Sequence, residues 1–252
     1  MEIKLYDGKI PYLTTETELP KVSCYPTATW YKLPAVIVLP GGGYSEHADH
    51  EAEPIAEFYN ARGFHSFILR YRLIPEYYPS AICDLQRLIK YLRANADALR
   101  VDENRIFVVG FSAGGHLASF SAVAEDVCKV GDCLDDFDCK PNGVIAGYPV
   151  VSSEHPCIKN LAQNDEKALK LLSVEKNITE NTPPFLIWHT TDDATVDVKN
   201  SLMLGEALKE KGVKFEMHIF PSGEHGLGLA KLRPDISKWA DLSADWIIHN
   251  FL

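Results

Sequence analysis

Short apolar runs and helical stripes alternate along most of the chain. Ala35-Val36-Ile37-Val38-Leu39 is continuously apolar and ends in Pro40-Gly41-Gly42-Gly43. Residues 64–71 form a second run, led in by Arg62-Gly63, and residues 105–109 a third. Apolar runs of this length, rich in β-branched residues and bounded by glycine or proline, predict strands buried on both faces. Over residues 79–96, Ile82, Leu85, Leu88, Ile89 and Leu92 recur at helical spacing and predict a helix with one buried stripe. Further strands are predicted at 143–148, 185–189 and 214–220, and helices at 115–122 and 200–211. Trp239, Leu242, Trp246 and Ile247 mark a C-terminal amphipathic helix. Strands alternating with helices in this way predict an α/β fold, a mostly parallel sheet covered on both faces.

Two stretches depart from the alternation. The Thr-, Pro- and Tyr-rich residues before Tyr31 predict antiparallel edge strands. Residues 150–182 are polar and helical, with a charged run at 165–170, and predict a small cap over the carboxyl edge of the sheet. With 252 residues, 46% of them hydrophobic, the chain reads as one domain with a sizeable core. A formal net charge of −10 argues against nucleic acid or an anionic membrane surface as a partner. No apolar run is long enough to span a bilayer, and the first residues lack the basic end and apolar stretch of a signal peptide. The expectation is a soluble cytoplasmic protein, with homo-oligomerisation left open. Cys128, Cys133, Cys139 and Cys157 lie near one another with His155 close by, but no C-x-x-C pair occurs among them. Free thiols, and no metal, are expected.

Candidate chemistry concentrates in three loops. Gly110-Phe111-Ser112-Ala113-Gly114 is a G-x-S-x-G pentapeptide between a predicted strand and a predicted helix, the setting of a nucleophile elbow. Flanking glycines allow a turn too sharp for a Cβ, which lifts the Ser112 hydroxyl clear of the sheet. A serine hydroxyl needs a positioned base, and the base an orienting acid. His225 lies in a glycine-flanked loop after the last predicted strand, and Asp192 and Asp193 follow the strand before it. Adjacent side chains point differently, so only one aspartate can reach His225. Asp193 is the favoured acid, Asp192 the capping or solvated one, and Asp197 an N-cap for the next helix. Gly42 and Gly43, with Ala113 after the nucleophile, are the candidate backbone donors of an oxyanion hole. A phosphate site is disfavoured there, since neither G-K-[ST] nor G-x-G-x-x-G is present.

These segments resemble the α/β-hydrolase superfamily, and more narrowly its esterase branch related to hormone-sensitive lipase and bacterial acetyl-xylan esterases. The resemblance runs over nearly the whole chain from about Ala35. Its carriers are Pro40-Gly41-Gly42-Gly43-Tyr44, Gly110-Phe111-Ser112-Ala113-Gly114-Gly115-His116, residues 183–193 and residues 220–230. It implies that the triad acid is the aspartate four residues after His189, which is Asp193. Pro40 stands where hormone-sensitive-lipase relatives carry a histidine before the glycines, which shifts the likeness toward the acetyl-xylan-esterase side. The implied mechanism passes through an acyl-enzyme on Ser112, with His225 as base and then acid, and needs no cofactor. The implied substrate is a small ester, an acetylated sugar such as an acetylated xylo-oligosaccharide. Tyr44, beside the oxyanion glycines, is the candidate contact to its alcohol portion. Tyr44, Tyr148 and Trp188 are open to two readings, sugar-stacking faces or core packing. A prolyl-oligopeptidase-type peptidase and a non-catalytic hydrolase-fold binding protein are the competing readings. The first usually carries a propeller domain for which this chain has no room, and the second would be favoured by a missing triad member.

Overall fold

In the computed structural model, which describes residues 2–14 and 18–251, the predicted alternation forms a single sheet. The strands are β1 (Glu2–Ile3), β2 (Lys21–Tyr25), β3 (Leu33–Leu39), β4 (His65–Arg70), β5 (Val101–Phe111), β6 (Gly143–Gly147), β7 (Phe185–Thr190) and β8 (Phe215–Phe220). Their order is β1-β2-β4-β3-β5-β6-β7-β8. β1 pairs with β2, and β2 with β4, antiparallel, as expected for the stretch before Tyr31. All remaining neighbours are parallel.

The helices are α1 (Glu53–Asn60), α2 (Ser80–Ala94), the single turn α3 (Ala96–Leu99), α4 (Ser112–Ser121), α5 (Pro156–Leu161), α6 (Glu166–Leu172), α7 (Lys199–Glu210) and α8 (Lys238–Phe251). Ala35, Ile37 and Leu39 of β3 pack in one core with residues of α2, α4 and α7. Val36 and Val38, pointing the other way, pack with residues of α1 and α8. The inner strands β3, β5, β6 and β7 thus feed both cores alternately, and both side-chain sets are apolar because neither face meets water. No helix among the described residues is long and apolar enough to cross a membrane.

The largest boundary differences from the sequence expectation are at the starts of β5 and α4, and the second bears on the site. β5 begins at Val101, because Val101 pairs with Leu33 before a register shift absorbs the polar residues that follow. α4 begins at Ser112, so Gly114 and Gly115 lie inside a helix despite their poor intrinsic propensity. Close packing decides this: a Cβ on Gly114 would sit 2.2 Å from the Leu39 carbonyl oxygen. Residues 150–182 form α5, α6 and a 3-10 turn, Val174–Lys176. Ile158, Leu161, Leu172 and Val174 share the core of α2 and α4. The segment is tied to the start of α4, where the Val150 N–H donates to the Ser112 carbonyl at 3.2 Å.

Candidate active site

Ser112 stands where β5 ends and α4 begins, with a left-handed φ of 53°. A non-glycine residue there stores about 1–3 kcal/mol, sustained only when its surroundings over-determine it. They do so by crowding: a Cβ on Gly110 would lie 2.1 Å from the Gly114 carbonyl oxygen. The two flanking glycines therefore fold against each other and leave the serine side chain projecting.

His225 Nε2 lies 2.9 Å from Ser112 Oγ, and His225 Nδ1 lies 2.7 Å from Asp193 Oδ2. A carboxylate accepts, so Nδ1 carries the proton and Nε2 is free to accept from the serine hydroxyl. Asp193 Oδ1 accepts the amides of Thr195 and Val196, each at 2.9 Å. His189 Nε2 approaches Oδ2 to 3.3 Å. Burial alone would raise the Asp193 carboxyl, but the hydrogen bonds from His189, His225, Val196 and Thr195 outweigh it and hold the group well below the usual carboxylate range. His189 is itself fixed. Its Nε2–H donates to the Val196 carbonyl at 2.9 Å, and its Nδ1 accepts from the Ser201 hydroxyl at 2.8 Å.

The glycine loop after β3 approaches the elbow from the other side. A Cβ on Gly41 would sit 3.0 Å from Ser112 Cβ and 2.9 Å from the Phe111 carbonyl oxygen. Gly42 has φ +121°, and a Cβ there would meet the Glu46 carbonyl oxygen at 2.2 Å, so no side chain fits. The Gly42 carbonyl accepts from Ser45 and Glu46, closing the turn. Among the described residues, Gly42, Gly43 and Ala113 spend no amide on a turn or loop hydrogen bond. Their N–H groups are the candidate oxyanion donors.

Other expectations need correction. Tyr44 does not face a ligand: its side chain is 1% exposed and its hydroxyl lies 2.7 Å from His116 Nδ1. The Leu172 carbonyl takes the His116 Nε2 proton at 2.9 Å, so Nδ1 accepts and Tyr44 donates. Burial pulls His116 down to about 4, leaving it neutral, although the Leu172 carbonyl opposes the shift. Tyr148 and Trp188 are buried too, packed edge to face with centroids 4.9 Å apart, which decides between sugar stacking and core packing for both. Asp192 is neither a cap nor merely solvated. Its Oδ1 accepts the Gly223 amide at 2.6 Å and ties its own loop to that of His225. Asp197 accepts from Lys199 N at the start of α7. Among the cysteines, Cys157 Sγ meets His155 Nδ1 at 3.1 Å, and Cys128 is buried beside Cys83 instead. No group of three or more His, Cys, Asp or Glu among the described residues is placed to hold a metal ion.

Sequence reasoning missed Glu51. Its side chain is 2% exposed, accepts the Gly41 amide at 2.7 Å on Oε2 and accepts the Tyr148 hydroxyl at 2.6 Å on Oε1. An acidic residue ahead of a helix reads as a solvated first-turn charge, and no local signal marks this one as buried.

Comparison with known proteins places this geometry among relatives. The BD-FAE family model matches residues 24–208. Endo-1,4-beta-xylanase B of Butyrivibrio fibrisolvens is 35% identical over 211 residues, covering 79% of this chain and 33% of that protein. An acetylxylan esterase of Xylanibacter ruminicola is 29% identical over 224 residues, covering 81% of this chain and 45% of that protein. The chain thus spans less than half the length of these curated relatives. The crystal structure of an acetyl ester-xyloside bifunctional hydrolase from Caldicellulosiruptor lactoaceticus superposes with a TM-score of 0.93 at 37% identity, covering 98% of this chain and 95% of that one.

Proposed function

For a chain that belongs to the BD-FAE family of α/β-hydrolases, we propose serine carboxylic-ester hydrolysis, with acetylated sugars such as acetylated xylo-oligosaccharides as the substrate class. The observation that carries this reading is the unbroken relay from Asp193 through His225 to Ser112, with hydrogen bonds of 2.7 and 2.9 Å. Ser112 Oγ attacks the ester carbonyl while His225 Nε2 takes its proton. The carbonyl oxygen, now negative, is met by the amides of Gly42, Gly43 and Ala113, and one such donor is worth about 3–4 kcal/mol of barrier. His225 then gives the proton to the leaving alcohol, and Ser112 holds the acyl group. In the second half a water loses its proton to His225 and attacks the acyl-enzyme, and the carboxylic acid departs. Asp193 stays ionised throughout, holding the imidazole in the tautomer that faces Ser112 and stabilising it when charged. No step requires a cofactor.

The printed descriptions of the relatives support a sugar ester. A short acyl group is supported by the same descriptions, which name acetyl esters. The six cysteines are unpaired, which supports a reducing cytoplasmic setting. The test is kcat/KM on p-nitrophenyl esters from acetyl to octanoyl, beside acetylated xylo-oligosaccharides and a proline-containing peptide. Activity is expected to fall steeply with chain length, to include the oligosaccharides, and to vanish in Ser112→Ala with the fold intact. A profile peaking at octanoyl, cleavage confined to the peptide, or wild-type turnover in Ser112→Ala would sink it.

A further inference from the structure

We propose that Glu51 is a positioning residue: through Tyr148 its buried carboxylate holds the oxyanion glycine loop and the His225 loop in one fixed geometry around Ser112. The proposal rests on the reading of Ser112 and His225 given above. Glu51 belongs to the 3-10 turn Asp49–Glu51, which lies between the two loops and bonds to both. Toward the oxyanion loop, its Oε2 accepts the Gly41 amide at 2.7 Å, one residue before the candidate donor Gly42. Toward the histidine loop, its Oε1 accepts the Tyr148 hydroxyl at 2.6 Å, and the same phenol oxygen accepts the Gly228 amide at 2.9 Å. The Tyr148 ring stands edge-on to the His225 imidazole, with centroids 5.0 Å apart. The neighbouring His50 adds a third tie, donating from Nε2 to the Gly226 carbonyl at 2.8 Å. His50 also fills the space at Gly228, where a Cβ would lie 3.0 Å from the His50 carbonyl oxygen.

The cost of this arrangement argues for a use. A buried carboxylate is expensive unless paired, and apolar replacement of buried charges is often neutral or stabilising. Among the described residues, the ion-pair partner within 4 Å of Glu51 is His50, at 3.7 Å and itself half exposed. Fold stability alone gives no reason to keep an acid there. A bridge between two catalytic loops does, because a misplacement of about 1 Å can cost a hundredfold in rate. Burial and the adjacent Glu51 both push the Tyr148 phenol well up, so it stays a neutral donor to Glu51 while its oxygen takes the Gly228 amide.

The test compares Tyr148→Phe, Glu51→Gln, Glu51→Ala and the double variant Glu51→Ala/Tyr148→Phe with wild type on p-nitrophenyl acetate. kcat and KM are measured separately, and circular dichroism is followed through thermal unfolding. Tyr148→Phe keeps the ring and loses both hydroxyl bonds. It is expected to lower kcat roughly ten- to a hundredfold, with KM within about twofold. Glu51→Gln still accepts the Gly41 amide and can donate to Tyr148, so it should retain activity within about fivefold. Glu51→Ala should match Tyr148→Phe, and the double variant should be no worse than the worse single, since both break one bridge. If Glu51→Ala fails to fold, the two isosteric variants decide. A folded Tyr148→Phe with wild-type kcat, a loss carried by KM alone, or additive losses would overturn the proposal. Ser112→Ala is assayed alongside. Its survival would sink the esterase mechanism itself, whereas a dead Ser112→Ala beside a fully active Tyr148→Phe would sink only the bridge.

Discussion

Replacing Asp193 with asparagine exchanges one oxygen for an amino group and leaves the shape of the loop alone. The asparagine oxygen can keep accepting the Thr195 and Val196 amides, now bonded at 2.9 Å, so the turn into α7 has no reason to open. The amino group falls where Oδ2 accepts the His225 Nδ1 proton at 2.7 Å. Two donors would then face each other, and the imidazole escapes by moving its proton to Nε2. That nitrogen, 2.9 Å from Ser112 Oγ, can then no longer accept the serine proton. The same change in another serine triad costs about 10⁴ in kcat, which at 1.36 kcal/mol per decade is about 5.5 kcal/mol of barrier. Asp192→Asn is the matched control. Its oxygen can still accept the Gly223 amide, now bonded at 2.6 Å, so a loss within about threefold is expected. The assay is kcat/KM on p-nitrophenyl acetate for both variants, with far-ultraviolet circular dichroism to verify folding. Equal losses, or a larger loss at Asp192, would refute the assignment of the acid and the tautomer reasoning behind it.

Gly42→Ala forces a Cβ to within 2.2 Å of the Glu46 carbonyl at a φ of +121°, so the loop must move. A fall in kcat of about 10² to 10³, the usual effect of losing one oxyanion donor, is expected in steady-state kinetics; wild-type turnover would remove Gly42 from that role. Tyr44→Phe leaves the buried His116 Nδ1 without its donor, and urea unfolding should show a loss of about 1–3 kcal/mol. KM for an acetylated xylo-oligosaccharide should not change, whereas a raised KM would return Tyr44 to the substrate surface. Acid stability carries a sign fixed by Asp193. Its folded carboxyl lies below the unfolded value of about 3.9, so its contribution is complete above that pH and is lost as pH falls below it. The Tm of wild type should therefore drop more steeply below about pH 4 than that of Asp193→Asn, and parallel curves would contradict the shift.

What could be read from the sequence was local. The apolar runs of β3 and β5 alternate between two cores, so their period and bounding glycines identify them without tertiary information. Ser112 is marked by its own flanking residues, and His225 by the glycines of its loop and the strand before it. The choice of Asp193 over Asp192 needed the family spacing, because two adjacent carboxylates look alike until one is seen bonded to His225. Tyr44 was misplaced for a physical reason. Its position beside the oxyanion glycines is close in sequence, but its backbone φ is +62°, and its hydroxyl ends against buried His116. Glu51 was invisible for another reason. Its partner Tyr148 is 97 residues away, and Tyr148 in turn bonds Gly228 across 80 residues, separations that no window of periodicity spans.

The strained backbone of the site and its buried polar bonds explain each other. Tyr44, Ser112 and Tyr148 all have left-handed φ, at 62°, 53° and 35°, and none of them is a glycine. Each such residue costs about 1–3 kcal/mol, against a total stability of about 5–15 kcal/mol for an ordinary domain. Such conformations persist only where something else fixes them. Tyr44 is held by His116, Tyr148 by Glu51 and Gly228, and Ser112 by the His225 imidazole on its hydroxyl and the Val150 amide on its carbonyl. The apolar cores are built mainly from the strands and the helices packed on them. The polar network therefore acts on the ends of β3, β5 and β6, where regular pairing stops and the backbone must turn sharply to present a hydroxyl and a set of free amides. Stability is spent at the carboxyl edge of the sheet because a relaxed turn there would no longer project the Ser112 side chain from the head of α4.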